Sequence, residues 1–168
     1  SNNDGSGDFS NSAGTFTTGG NTLSITANDF SLAGAINTGS GTAKIFVSDA
    51  GTIGLGSTSA NMTISGAELG NITADTLTIG GSTAGDMTVN GINSSDSTNI
   101  STVDLNSASI AFSTGGSTFK ALTLTANTGS ITGAVALTVT SGISNFTTSG
   151  ANQSITLSDT SNDFTGAV

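Results

Sequence analysis

Apolar residues enter this chain in short bursts whose middle position is polar. Leu23-Ser24-Ile25, Met62-Thr63-Ile64, Leu77-Thr78-Ile79 and Met87-Thr88-Val89 are followed by Leu122-Thr123-Leu124, Leu137-Thr138-Val139 and Ile155-Thr156-Leu157. Ile45-Phe46-Val47 keeps the spacing but puts Phe in the middle. A period of two predicts strands with one buried face. Threonine suits the outward place because its branched Cβ fits a pleated, exposed surface. Gly, Asn, Asp and Ser fill the intervals, which is turn chemistry. A helical period never outlasts one turn.

The same phrase also returns at long range. Leu23–Ile36 lies without a gap on Leu122–Val135, with Thr26, Ala27, Asn28, Ser31, Gly34 and Ala35 recurring as Thr125, Ala126, Asn127, Ser130, Gly133 and Ala134. Short bursts, few aromatics and no fixed hairpin signature disfavour a two-sheet sandwich. Repetition at roughly 20 residues predicts a solenoid, in which each coil buries its apolar residues against its neighbours. The expectation is an all-β, right-handed parallel β-helix of about seven to eight coils of roughly 19 residues. The echo then spans about five coils. Residues 1–168 form one domain, with 1–20 as an N-terminal coil or cover and 21–168 as repeated coils. Leu23, Ile25, Leu77, Ile79, Leu122, Leu124, Leu137 and Val139 are expected in the core. A whole subunit and a segment of a longer repeat protein both fit.

Composition sharpens this picture. The 168 residues include 24 Gly and no Pro, Cys or Trp. An absence of Pro suits stacked strands, each of which must donate its backbone N–H to the next coil. Charged residues make up only 8%, so the chain lacks the composition of a disordered one. The formal charge of −9 leaves no basic stripe for nucleic acid and disfavours an anionic membrane surface. No run reaches the ~18 apolar residues of a membrane span. The first residues have neither a basic start nor an apolar core, so any signal peptide is expected to be gone.

At the bursts and at phrases such as Asn28–Ile36 and Asn162–Val168, the sequence resembles the β-strand-repeat regions of large bacterial surface exoproteins. These are the filamentous-haemagglutinin and giant autotransporter type. The resemblance implies export to the bacterial cell surface and a role as fibre shaft or adhesin, with surface glycans among the partners. The chain departs from complete members in having no Asn-Pro-Asn secretion signature and no C-terminal barrel.

Candidate chemistry is thin. With no His or Cys, the common nucleophile–base pairs are unavailable, and the acids are scattered singly through turns. Solvated turn formers are the expected role of Asp29, Asp49, Glu68, Asp75, Asp86, Asp96, Asp104, Asp159 and Asp163. Carboxylate pairs meeting across coils for glycoside cleavage are the rival. The chain is therefore expected to be neither an enzyme nor a cofactor binder. Asn2, Asp4, Ser6 and Asp8 surround Gly5 like the middle of a calcium loop, though no bidentate Glu follows. Asn-x-Ser/Thr sequons begin at Asn61, Asn71, Asn93, Asn99, Asn145 and Asn152, as chance alone supplies in such a composition. Lys44 and Lys120 are the only cations, with a solvated face the first reading and an isopeptide crosslink the second.

Two surface features remain. Stacked coils would align Ser24, Thr63, Thr78, Thr88, Thr123, Thr138 and Thr156 as one exposed row, which resembles an ice-binding surface. Phe9 and Phe16 near one end, and Phe164 and Val168 near the other, carry core-type residues without a legible cap. The leading expectation is an extracellular structural rod whose copies associate end to end into a fibre or sheath.

Overall fold

The computed structural model describes residues 7–168. It is a β-solenoid of about seven coils, with parallel pairing throughout and one short helix among the described residues. The first described coil holds β1 (Phe9–Asn11) and β2 (Thr15–Thr17). Next come β3 (Leu23–Ala27), β4 (Phe30–Leu32) and β5 (Ala35–Asn37). The chain continues through β6 (Thr42–Val47), β7 (Ile53–Gly56), β8 (Met62–Ile64), α1 (Gly66–Gly70) and β9 (Ile72–Gly80). After β10 (Met87–Asn90), three regular coils follow. They are β11 (Ile100–Ser107), β12 (Ile110–Phe112) and β13 (Ser117–Phe119), then β14 (Leu122–Ala126), β15 (Ile131–Gly133) and β16 (Leu137–Val139), then β17 (Ser144–Thr148), β18 (Ile155–Leu157) and β19 (Asp163–Phe164).

Each coil lays strands on three stacks. On the first face Leu23 lies beside Ala43, Ala43 beside Leu77, Leu77 beside Val103, Val103 beside Leu122, and Leu122 beside Ser144. The second face runs β8, β7, β10, β12, β15, β18. The third runs β2, β5, then the start of β9 and of β11, and is continued by β13, β16 and β19. In-register stacking brings like against like, so alternate residues of most interior strands fill one narrow core. Ile25, Leu77, Ile79, Leu122, Leu124, Leu137 and Val139 are buried, as the alternation predicts, while Leu23 is only partly covered.

Glycine is required where strands turn a corner against the next coil. Gly56 and Gly80 adopt φ of 88° and 78°, and a Cβ on either would collide with the carbonyl oxygen of Asn90 or Asn106 in the neighbouring coil. Asparagine then bridges coils: Asn127 Nδ2 donates to Asn106 Oδ1 (2.7 Å) and to the Ser107 carbonyl (2.9 Å).

Two expectations about the repeat are corrected. The eight bursts are not equivalent: those at Leu23, Ile45, Leu77 and Leu122 lie on the first face, those at Met62, Met87 and Ile155 on the second, and that at Leu137 on the third. The Leu23–Leu122 echo spans four coils rather than five, because two coils are long. The first of these holds β8, which does not start a coil. After β7 the chain doubles back, and β8 pairs in parallel with the opposite edge of β7, Ile53 beside Met62. The second long coil carries the excursion between β10 and β11.

Candidate functional site

The sequence-derived sites do not assemble into one place. The threonine row is divided among the faces. On the first face the outward column reads Ser24, Lys44, Thr78, Asp104, Thr123 and Asn145. On the second it reads Thr63, Gly54, Thr88, Ala111, Thr132 and Thr156. Thr138 belongs to the third, between Thr118 and Asp163. A flat, single-residue array is therefore absent from these columns, because a coil presents three bursts and only one of them to each side.

The acids are likewise dispersed, and among the described residues no three Asp or Glu side chains gather as a metal site. Several accept hydrogen bonds inside the coils. Asp86 Oδ1 accepts from Ser109 Oγ (2.7 Å), and Asp96 Oδ2 accepts from the Asn93 N–H (2.8 Å). Asp104 is half-buried and accepts from Thr78 Oγ1 (3.3 Å). Burial pushes its carboxyl above the usual carboxylate range, with the Thr78 hydrogen bond and the Lys44 charge opposing that rise. Lys120 Nζ donates to the carbonyl of Thr98. Of the calcium-loop candidates, Asn2, Asp4 and Ser6 lie outside the described residues, and Asp8 is exposed.

Asp29 and Glu68 do more than the turn role expected of them. The backbone ladder of the second face is broken between β4 and β8, and side chains span the break. Asp29 Oδ1 accepts from the N–H groups of Phe30 (2.8 Å) and Thr63 (2.9 Å). Glu68 Oε1 accepts from the Leu32 N–H (3.0 Å), and Asn71 Nδ2 donates to the Leu32 carbonyl (3.1 Å). The other Glu68 oxygen closes a capping box with the N–H and Oγ of Ser65, both at 2.8 Å. Ser65-Gly66-Ala67-Glu68 is the readable signature of that box, and it was the available signal for both the helix and the bridge.

The coil of β17, β18 and β19 presents core-type residues to solvent. Phe146 stands beside buried Leu124, Ile155 beside Ile131, Leu157 beside Gly133 and Phe164 beside Val139. Phe146 and Phe164 pack edge to face, 5.4 Å between ring centroids. Ile155 is 44% exposed, and Val168 is 79% exposed. The Ser144 N–H donates to the Ala167 carbonyl (2.8 Å), as the Leu122 N–H donates to that of Ile143 one coil below. At the opposite end Phe9 stacks on Phe30, 5.2 Å apart, and Phe16 is 52% exposed beside buried Ile36.

Over residues 99–168 the chain is similar to a family described as repeats of unknown function (DUF5649). The matched region begins at β11 and covers the three regular coils, so similarity and structure both describe a repeat protein. No curated protein matches the sequence, and no solved structure matches the fold.

Proposed function

We propose that this chain is a non-enzymatic structural rod of the bacterial cell surface, extended by coil-on-coil association of one copy with the next. The coil of β17–β19 supports this reading, because its core-side columns continue those of the coil beneath and offer a further coil the same register. A coil laid on them would pair free strand edges and cover Phe146, Ile155, Leu157, Phe164 and Val168 together. Such head-to-tail contact does not close on itself and propagates as an open filament. The dispersal of carboxylates into turn and bridge hydrogen bonds favours a structural over a catalytic role.

Sedimentation velocity of the purified chain and an Ile155→Lys variant tests this. Ile155 is part exposed on an outer edge, so lysine there is tolerated by the monomer but buries an unpaired charge in a junction. The wild type should sediment as a concentration-dependent series of oligomers and the variant as a monomer. A wild-type chain that stays monomeric at millimolar concentration contradicts the reading.

A second reading has one observation in its favour. Because Ala167 already accepts the bond that opens the next first-face strand, the covering coil can come from further polypeptide, making this a shaft segment of a large adhesin.

A further inference from the structure

Phe46 occupies a position that no other described aromatic takes. Strand β6 turns Thr42, Lys44 and Phe46 outward and Ala43, Ile45 and Val47 inward, and Phe46 pairs with Thr26. The remaining phenylalanines are themselves buried or pair with a residue of the buried columns. The ring leans on the backbone of Gly81, where an added Cβ would approach its Cδ1 to 3.3 Å, and it stays part exposed.

Beside it, at the corner between the first and second faces, is a cleft of about 280 Å³ lined by Thr26, Phe46, Ser48, Asp49 and Thr83 among others. Ser48 backs the cleft at 4% exposed, and its hydroxyl, like those of Ser97 and Ser144, is buried without a hydrogen-bond partner. Asp49 and Ala50 are consecutive non-glycine residues in the left-handed region, with φ of 52° and 54°. Side chains are rarely held so without a compensating role.

We propose that this corner binds a pyranose sugar, its C–H face against Phe46 and its hydroxyls toward Asp49, Thr26 and Thr83. The lining combines one aromatic wall with short hydroxyls and a single carboxylate. A sugar ring matches that set because it is apolar on one face and polar around its edge, and its polarised C–H groups meet the negative π face. A wholly apolar ligand would leave the exposed Asp49 carboxylate desolvated. An anion would meet Asp49 and a chain of net charge −9. A hard dication would find one acid where it needs several oxygens. The site lies away from the β17–β19 edge, so it stands or falls independently of the rod reading.

Saturation-transfer NMR on the whole chain, with methyl β-D-galactopyranoside and methyl β-D-glucopyranoside as probes at about 10 mM, tests it, since single-sugar sites bind in the millimolar range. Ring protons of at least one glycoside should receive saturation. Phe46→Ala should cut the effect about tenfold, Phe46→Trp should keep it, and Phe16→Ala should leave it unchanged. Thr83→Val, at an exposed position, should also weaken it and serves if Phe46→Ala perturbs folding. No transfer to either glycoside, or transfer that survives both Phe46→Ala and Thr83→Val, overturns the proposal.

Discussion

Asp104 shows how one column position departs from its neighbours. It stands between Thr78 and Thr123 on the first face, and burial raises its carboxyl pKa while Thr78 and Lys44 hold the rise back. A carboxyl whose folded pKa is raised binds its proton more tightly folded than unfolded. Its charged form therefore costs stability, a cost absent below the ordinary value and complete above the raised one. Asp104→Asn should stabilise the chain at pH 7 by about 0.3–0.5 kcal/mol, a small figure because solvent screens a half-exposed group. The gain should vanish near pH 3. Thermal melts at both pH values check this, and a lower melting temperature for Asp104→Asn at pH 7 would mean that the Thr78 hydrogen bond and the Lys44 attraction together outweigh burial. Inward positions such as Leu124 and Ile79 were legible in the sequence because alternation survives in every burst. Column partners were not, since Leu-Thr-Leu reads alike on any of three faces. Phe46 was visible only as an interruption, and its cleft depends on Gly81 and Ser48, which periodicity does not bring together.

Between β4 and β8 the usual ladder is replaced by side chains, and this is where element-level reasoning adds most. Glu68 holds the Leu32 N–H and closes the α1 capping box with one carboxylate. Replacing it with alanine leaves a part-buried backbone donor and the helix start unsatisfied, at a cost of about 2 kcal/mol. Hydrogen exchange should then show the Leu32 amide opening faster in Glu68→Ala, while Leu124 on the regular coils keeps its protection. Equal rates at Leu32 in both chains would show that the bridge is incidental. Strand type and parallel pairing were readable from burst and turn spacing. The doubling back of β8 was not, because Met62-Thr63-Ile64 has the same pattern as a coil-opening burst. What distinguishes it is the pairing of Met62 with Ile53 only nine positions away, a tertiary choice rather than a local propensity.

At the scale of the molecule, about seven coils at the ~4.8 Å strand spacing give a rod roughly 35 Å long, with the first face stacked in register from β3 to β17. Stability in such a stack comes from neighbour contacts, so a coil with one face uncovered is its least stable part. The coil of β17–β19 has that character, with Ile155 and Val168 exposed over a dry interior. Cryo-electron microscopy of the purified 168-residue chain at high concentration tests the rod account most directly. The account predicts unbranched filaments with an axial repeat of roughly 35 Å and strand stacking continuous across each junction at ~4.8 Å. Dispersed single rods, or rods associated side by side with the β17–β19 edge still open, would contradict it.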